Sequence, residues 1–366
     1  MKALVLGKGK SGTSAAALLK AQGYEVDFAD GYDCVITSPG LRTKSELQLG
    51  CEELRRRGWR LLAVTGSKGK SSVVKVVADA IGGVPCGNYG RPVTDLVLEK
   101  PGWAVVEVSS FQLETTTLPP DTFEAAAILN LQEDHLDRHG SVAVYHGLKR
   151  KLLTMAKKGF GPVVTGMSPQ LWAGSYFDNE ILAGNAAIAV ELMHVAGLDD
   201  AAIAKAFRDF TPLPHRMNLV AEIDGVRFID DSKATSLAAL IAGVKMASSG
   251  IRTFEHSNIR TIHLVAGGLP KGDDPKTALS ALTERVKKVY LIGQSAEAFF
   301  AAWNGAVDCE ICGTMDKAVE TARREAEKGE TVLLSPGTAS FDQFKSYGER
   351  GDVFARLVKE KDNLNE

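Results

Sequence analysis

Cysteine is scarce and odd in number, with five scattered over 366 residues. That excludes the disulfide framework on which small secreted domains depend. Charge of one sign is missing too, because 43 Lys+Arg against 45 Asp+Glu leave a net charge of -2. Nucleic-acid binding normally needs a basic field that is absent here, although a local basic pocket for a small anion remains open. No apolar run approaches the roughly 20 residues needed to span a bilayer. Lys8 and Lys10 interrupt the N-terminal apolar run before a signal-peptide core can form. A cytoplasmic protein is expected, without nucleic-acid binding or membrane insertion. Cys309 and Cys312 form the one CxxC pair, and no second pair or nearby histidine pair completes a zinc site, so both are expected to be buried structural thiols.

What is present is ordinary globular material, 45% hydrophobic and 24% charged, in a chain long enough for two or three domains. Short apolar runs alternate with amphipathic segments, which predicts α/β units with parallel sheets and crossover helices. Strands are expected at 4–6, 35–37, 61–65, 103–108, 126–129, 262–266, 289–292 and 332–334. Helices are expected at 13–21, 47–57, 73–81, 142–157, 185–195 and 201–210. A Ser-Pro-Gly turn follows the second strand, Thr211–Pro214 breaks the helical pattern, and Asp224-Gly225 reads as a hairpin turn. Three units follow, at 1–60, 61–213 and 214–366.

Two glycine loops carry the chemistry. Gly7-Lys-Gly-Lys-Ser-Gly12 follows a strand and opens a helix, with Asp27 and Asp30 near the place where an acid would meet a ribose. That spacing leaves open a nicotinamide dinucleotide, another diphosphate ligand or a structural turn. Gly66-Ser67-Lys68-Gly69-Lys70-Ser71 is more specific, although shorter than the general P-loop. Its amides can cradle phosphates, Lys70 can oppose their charge and Ser71 can reach Mg²⁺. Glu107 ends a strand beside this loop, where a metal ligand is expected as readily as a solvated carboxylate. His135 and His139 stand four residues apart but lack the HExxH pattern and a third ligand for zinc. By composition alone Lys149 is an ordinary surface lysine.

Taken together the motifs GKGKSG, TSPG, VTGSKGKSS, EVSSFQLE, ILNLQEDHLDRHG, HRMN, IDDSKATS and LLSPGTASFDQFKSYGERG resemble the Mur ligase family along the whole chain. The resemblance implies an α/β protein of three domains: a short N-terminal Rossmann-like domain, a central P-loop ATPase-like domain and a C-terminal Rossmann-like domain. It implies an ATP-dependent amide ligase that adds D-glutamate to UDP-N-acetylmuramoyl-L-alanine through an acyl phosphate, in peptidoglycan precursor synthesis, as a monomer. Carried over position by position, Gly66, Ser67, Lys68, Gly69, Lys70, Ser71 and Ser72 would cradle the ATP phosphates. Asn185, Arg216 and Asp231 would hold adenine, phosphates and ribose. Ser71 and Glu107 would bind one Mg²⁺ and His135 a second, with Lys149 falling where the family has a lysine carbamylated by CO₂. Gly9, Lys10, Ser11, Gly12 and Asn88 would meet the uridine-linked substrate, with His135 facing its muramyl part. Lys233, Thr235, Lys271, Ser340 and Tyr347 would recognise D-glutamate.

The first unit is short for the family, Ser67-Lys68 stands where Thr-Asn is usual, and the His-Asn pair expected before Asn185 is missing. The competing readings are a nicotinamide-dependent oxidoreductase using the first glycine loop, a degenerate Mur-like nucleotide-binding scaffold, and a folylpolyglutamate-synthase-like ligase. The first of these leaves the second glycine loop unexplained.

Overall fold

The computed structural model describes residues 2–30, 34–37, 42–162, 168–249 and 261–360, so the Ser-Pro-Gly turn lies outside the described residues. The chain divides into two compact units, Met1–Asp178 with Leu182–Phe210, and Asn179–Ile181 with Thr211–Glu366.

The first unit begins with β1 (Lys2–Leu6), α1 (Lys10–Ala21), β2 (Glu25–Ala29), β3 (Cys34–Thr37), β4 (Arg42–Lys44) and α2 (Glu46–Arg56). Its sheet runs β2-β1-β3-β4, with β1 parallel to β2 but antiparallel to β3. The parallel arrangement expected from the sequence therefore fails at β3. The physical reason is length: a parallel crossover needs a dozen or more residues, and only four separate β2 from β3.

The middle sheet is built from β5 (Arg60–Thr65), α3 (Lys70–Ile81), β6 (Val84–Gly87), β7 (Trp103–Glu107), α4 (Ser110–Thr115) and β8 (Phe123–Ile128). They are followed by α5 (Leu136–His139), α6 (Val142–Lys151), β9 (Ala156–Phe160), α7 (Ala183–Val195) and α8 (Asp200–Asp209). All five strands are parallel in the order β6-β7-β5-β8-β9. The loops after β5, β7 and β8 therefore gather at one edge, where ligands of open parallel sheets bind. The helix expected over 142–157 ends early, passing through a tight turn at Leu152–Met155 into β9. Lys157 and Lys158 are exposed on this edge strand and Lys157 pairs with Glu124 at 2.9 Å. Lysine protects an open edge and, in doing so, hides the strand from an apolar-pattern reading.

One core runs under both of these sheets. Val5, Leu19, Leu47 and Leu54 join Leu61, Cys86, Leu96 and Phe123 in a single buried cluster. A polar tie crosses it: Glu46 accepts from the Thr94 backbone N–H at 2.8 Å and its hydroxyl at 2.9 Å, and Ser14 meets the same hydroxyl at 2.6 Å. At the end of α2, the Arg56 guanidinium, with Arg57 behind it, holds the Glu53 carboxyl down at about 2, against the opposing effect of burial. Because that value lies below the unfolded 4.5, the stability is present above pH 4.5 and lost as the pH falls toward 2. Urea titrations across this window should show a shallower acid loss for Glu53→Gln than for the parent chain.

The second unit holds β10 (Asn218–Ile223), β11 (Val226–Asp230), α9 (Leu237–Ser249), β12 (Ile262–Gly267), α10 (Leu279–Arg285) and β13 (Val286–Ile292). It continues with α11 (Ala296–Trp303), β14 (Asp308–Gly313), α12 (Met315–Glu325), β15 (Thr331–Leu334) and α13 (Tyr347–Glu360). The order is β10-β11-β15-β12-β13-β14, parallel except for β10. The β10–β11 hairpin turns on Asp224-Gly225, both at positive φ (51° and 77°), the backbone that a two-residue hairpin demands. Cys309 and Cys312 are buried free thiols that belong to the cores on opposite faces of this sheet. Burial pushes both up, to about 12 and about 11, as suits structural thiols. Among the described residues no helix is long and apolar enough to cross a membrane.

Candidate active site

β5 is buried along Leu61–Thr65 and delivers the chain into Gly66, whose φ of 151° few other residues tolerate. A Cβ there would stand 3.0 Å from the Leu129 side chain, so the loop lies close against the end of β8. Gly69 (φ 82°) caps α3 and leaves no space either, since a Cβ would fall 2.1 Å from Asn185 Nδ2. The buried Asn185 thus reaches this glycine loop from α7.

Asn130 fixes the loop in place. Its amide accepts from Lys68 N–H at 2.8 Å and donates to Lys68 O at 2.8 Å and to Asn185 Oδ1 at 3.2 Å, while its carbonyl accepts from Ser67 N–H at 3.1 Å. The Tyr145 hydroxyl, from α6, meets Ser67 Oγ at 3.1 Å. Neither Asn130 nor Tyr145 stood out in the sequence. The one available signal was that Asn130 opens the segment after a buried strand.

Two lysines converge on one carbonyl. Lys70 Nζ donates to Gly66 O at 2.8 Å and to Ser67 O at 3.1 Å, and Lys149 Nζ donates to the same Gly66 O at 2.9 Å. Lys149 is only 1% exposed, with its ammonium 4.5 Å from the Tyr145 ring. Burial, reinforced by the Lys70 charge, pulls its pKa down to about 7, with Asp134 opposing. Burial lowers Lys68 as well. Ser71 and Ser72 follow in the first turn of α3, Ser72 buried.

Glu107, at the end of β7, is 2% exposed. Its Oε1 accepts from Asn88 Nδ2 at 2.8 Å, and its Oε2 is buried without a hydrogen-bond partner among the described residues. Asn88 N–H also donates to Glu107 O at 2.9 Å. The pair is that close because residue 87 is glycine, at φ 79°, where a Cβ would stand 2.4 Å from Glu107 O. Gly87→Ala is therefore expected to force β6 from β7 and cost about 2 kcal/mol or more. Thermal melts and turnover measured on the same preparation check this, and a melt within a degree of the parent would contradict it.

His135 lies at the rim, exposed, at φ 52°, with its ring 4.9 Å from Phe111 and 6.2 Å from Tyr145. Among the described residues no group of three or more His, Cys, Asp or Glu side chains converges to hold a metal ion.

At the other glycine loop, Lys8, Gly9 and Lys10 line an open groove of about 660 Å³ with Thr13, Arg91 and Asp95. Gly12 is buried in α1, and neither it nor Ser11 lines the groove.

In the second unit, Asp231 is buried at the end of β11, accepts from Ser335 Oγ at 3.0 Å and is raised by burial to about 7. His215 (φ 61°) bonds Asp230 at 2.7 Å and precedes Arg216, whose N–H donates to Asn218 at 2.8 Å. The Lys233 ammonium sits 3.9 Å from the Tyr347 ring, and Thr235 N–H donates to Lys233 O at 2.8 Å. Ser340 is buried and Lys271 exposed. The fully buried Arg350 ties the two loops together, donating to Ser232 O and Oγ and to the carbonyls of Thr338 and Ala339. Arg350 lies within the motif LLSPGTASFDQFKSYGERG, where nothing in the sequence marks it as buried.

The chain matches the Mur ligase middle domain over residues 64–171 and the Mur ligase glutamate ligase domain over residues 215–337. It is 31% identical to the UDP-N-acetylmuramoylalanine–D-glutamate ligase of Acidobacterium capsulatum, covering 98% of this chain and 96% of the relative. The ligase of the same name from Myxococcus xanthus is 31% identical, covering 98% of each. That alignment extends over 459 positions against 366 residues here, so the relative has internal segments this chain lacks. Among solved structures, the MurF ligase of Thermotoga maritima in complex with ADP superposes with a TM-score of 0.62 at 16% identity, over 88% of this chain and 84% of that one. The UDP-N-acetylmuramate–alanine ligase MurC of the same organism gives 0.61 at 13% identity over 99% of each. The α/β fold of three sheets, the two family domains and near full-length relatives at this identity agree, and the chain belongs to the Mur ligase family.

Proposed function

We propose that the protein is an ATP-dependent ligase that joins D-glutamate to UDP-N-acetylmuramoyl-L-alanine. The observation that carries this is that relatives bearing that activity in their names match 97–98% of the chain at 30–31% identity. ATP phosphorylates the alanyl carboxylate, giving an acyl phosphate and ADP. The D-glutamate amine then attacks the carbonyl, phosphate leaves, and an amide remains. A carboxylate oxygen is a poor leaving group and phosphate a good one, so the ATP makes the carbonyl reactive. Lys70, at the mouth of the loop, opposes charge on the transferring phosphoryl group.

The residues present fit a divalent cation. Glu107 Oε2 is a buried carboxylate oxygen without a partner among the described residues, the group a cation would satisfy, and Ser71 supplies a hydroxyl from the first turn of α3, which packs against β7. Mg²⁺ bound there would neutralise phosphate charge. His135 is assigned to a second ion, and Lys149 is assigned as a carbamate. Asn185, Arg216 and Asp231 are assigned to ATP, and Lys233, Thr235, Lys271, Ser340 and Tyr347 to D-glutamate. Gly9, Lys10, Ser11, Gly12 and Asn88 are assigned to the uridine-linked substrate, the groove supporting Gly9 and Lys10 of these. The three sheets serve as three domains, 1–60, 61–213 and 214–366, in a cytoplasmic monomer.

Phosphate release from ATP with UDP-N-acetylmuramoyl-L-alanine tests the reading. Release should depend on D-glutamate and not on L-glutamate, D-alanine or L-lysine. No D-glutamate-dependent release from folded protein would favour the degenerate scaffold, and tight NADH binding would favour the oxidoreductase.

A further inference from the structure

His139 lies outside every role assigned so far, yet it is among the best-held polar side chains in the first unit. Its side chain is 1% exposed, with Nε2 3.0 Å from Ser110 Oγ and Nδ1 3.2 Å from Glu114 Oε1. The Arg138 guanidinium, forked onto both Glu114 oxygens at 3.0 and 2.6 Å, holds that carboxyl below the usual range. His139 therefore presents one ring nitrogen to the Ser110 hydroxyl and the other to the Glu114 carboxylate. The imidazole is thus clamped between two side chains of one helix, Ser110 and Glu114, and flanked by the rings of Phe111 and Tyr145 at 5.4 and 5.5 Å. Ser110 is 3% exposed, which rules it out as a nucleophile for a bulky substrate.

What this clamp can do is set by where its members sit. Ser110 and Glu114 are on α4, which starts three residues after Glu107 and is fixed by a reciprocal Ser109–Gln112 cap. His139 closes α5, a single turn opened by His135, and His139 N–H donates to His135 O at 3.0 Å. One turn of helix has no stability of its own. Its bearing on the site comes from the clamp onto α4.

We propose that His139 and Glu114 are positioning residues that hold the His135 turn in register with Glu107. The inference rests on the assignment of His135 to the phosphate and metal site. It deepens that assignment by naming the parts that fix the turn: a rigid second layer behind a presented side chain is what keeps such a site within the tolerance that reaction requires.

The experiment is a double-mutant cycle on the full chain with His135→Ala, His139→Ala and the combination, and Glu114→Gln as a second probe that keeps an acceptor oxygen. His139→Ala should lower kcat roughly 10- to 10²-fold, with KM for ATP within about 2-fold. In the His135→Ala background the same change should cost less than about 2-fold, because the residue it positions is already gone. Titration with Mn²⁺ alone, followed by electron paramagnetic resonance, should weaken in His139→Ala and Glu114→Gln by a similar factor. Equal losses from His139→Ala in both backgrounds would overturn the proposal, as would unchanged kcat and Mn²⁺ affinity in folded Glu114→Gln. Normal turnover and Mn²⁺ binding in His135→Ala itself would remove the underlying assignment. If His139→Ala were still impaired in that case, His139 would act by another route and the proposed link would fall too.

Discussion

Replacing Lys70 by alanine is expected to lower turnover by about 10²-fold or more while the fold survives, the usual result of deleting a charge that stabilises a transferring phosphoryl group. The position of the ammonium explains the size. Lys70 Nζ is held by Gly66 O at 2.8 Å and Ser67 O at 3.1 Å, inside the loop assigned to the ATP phosphates. Losing it removes both the charge and two hydrogen bonds that are local to the loop, so the cores beneath are untouched. The loop itself stays anchored through Asn130, which bonds Lys68 by both backbone groups at 2.8 Å. Lys70→Ala should therefore melt within a few degrees of the parent, and Lys70→Arg should recover little because its planar fork needs a different acceptor geometry. Pre-steady-state phosphate release separates chemistry from product release. A folded Lys70→Ala protein with near-normal turnover would contradict the phosphate role.

Much of this site could be read from the sequence because its parts sit at the ends of strands buried on both faces. β5 and β7 are nearly continuous apolar runs, so the abrupt change to Gly66-Ser-Lys-Gly or to Glu107 marks a functional edge. Glycine at 66 and 69 was legible for the same reason: the positive φ angles leave few alternatives. What escaped notice depends on tertiary packing. β9 reads Ala-Lys-Lys-Gly-Phe, and only pairing with β8 makes it a strand. β3 returns antiparallel because of the brevity of a link, which periodicity does not weigh. Asn130, His139 and Arg350 are polar residues whose partners lie on other elements: Asn185 for the first, Ser110 for the second, Ser232 for the third. Composition predicts such residues at a surface. Lys149 is the sharpest case, a lysine between basic neighbours whose burial under Tyr145 nothing in its own helix announces.

Lys149→Ala is expected to be almost inactive, with activity partly restored by short carboxylic acids such as acetate. Left as an ammonium, Lys149 would compete with Lys70 for Gly66 O, and two like charges roughly 5 Å apart repel by about 3 kcal/mol at an effective dielectric near 20. Burial and that repulsion together bring its pKa to about 7, so much of the population is the neutral amine at working pH. A neutral amine is what attacks CO₂: the C–N bond forms, one proton leaves, and the cation becomes a carboxylate. The exchange would turn repulsion into attraction for Lys70 and supply an anionic group at Gly66 O. Protonation below about 7 removes the nucleophile, so carbamate and activity should fall together as the pH drops through that value and recover with added bicarbonate. Arg150 and Lys151 share the helix but not the site, Lys151 donating instead to Leu113 O at 3.0 Å, so their alanine variants should keep activity. An ordinary surface lysine would make all three variants alike. Full activity of Lys149→Ala without added acid would remove the carbamate assignment. Loss of activity that no small acid restores, in a protein with the parent's melting point, would instead leave Lys149 acting as the amine.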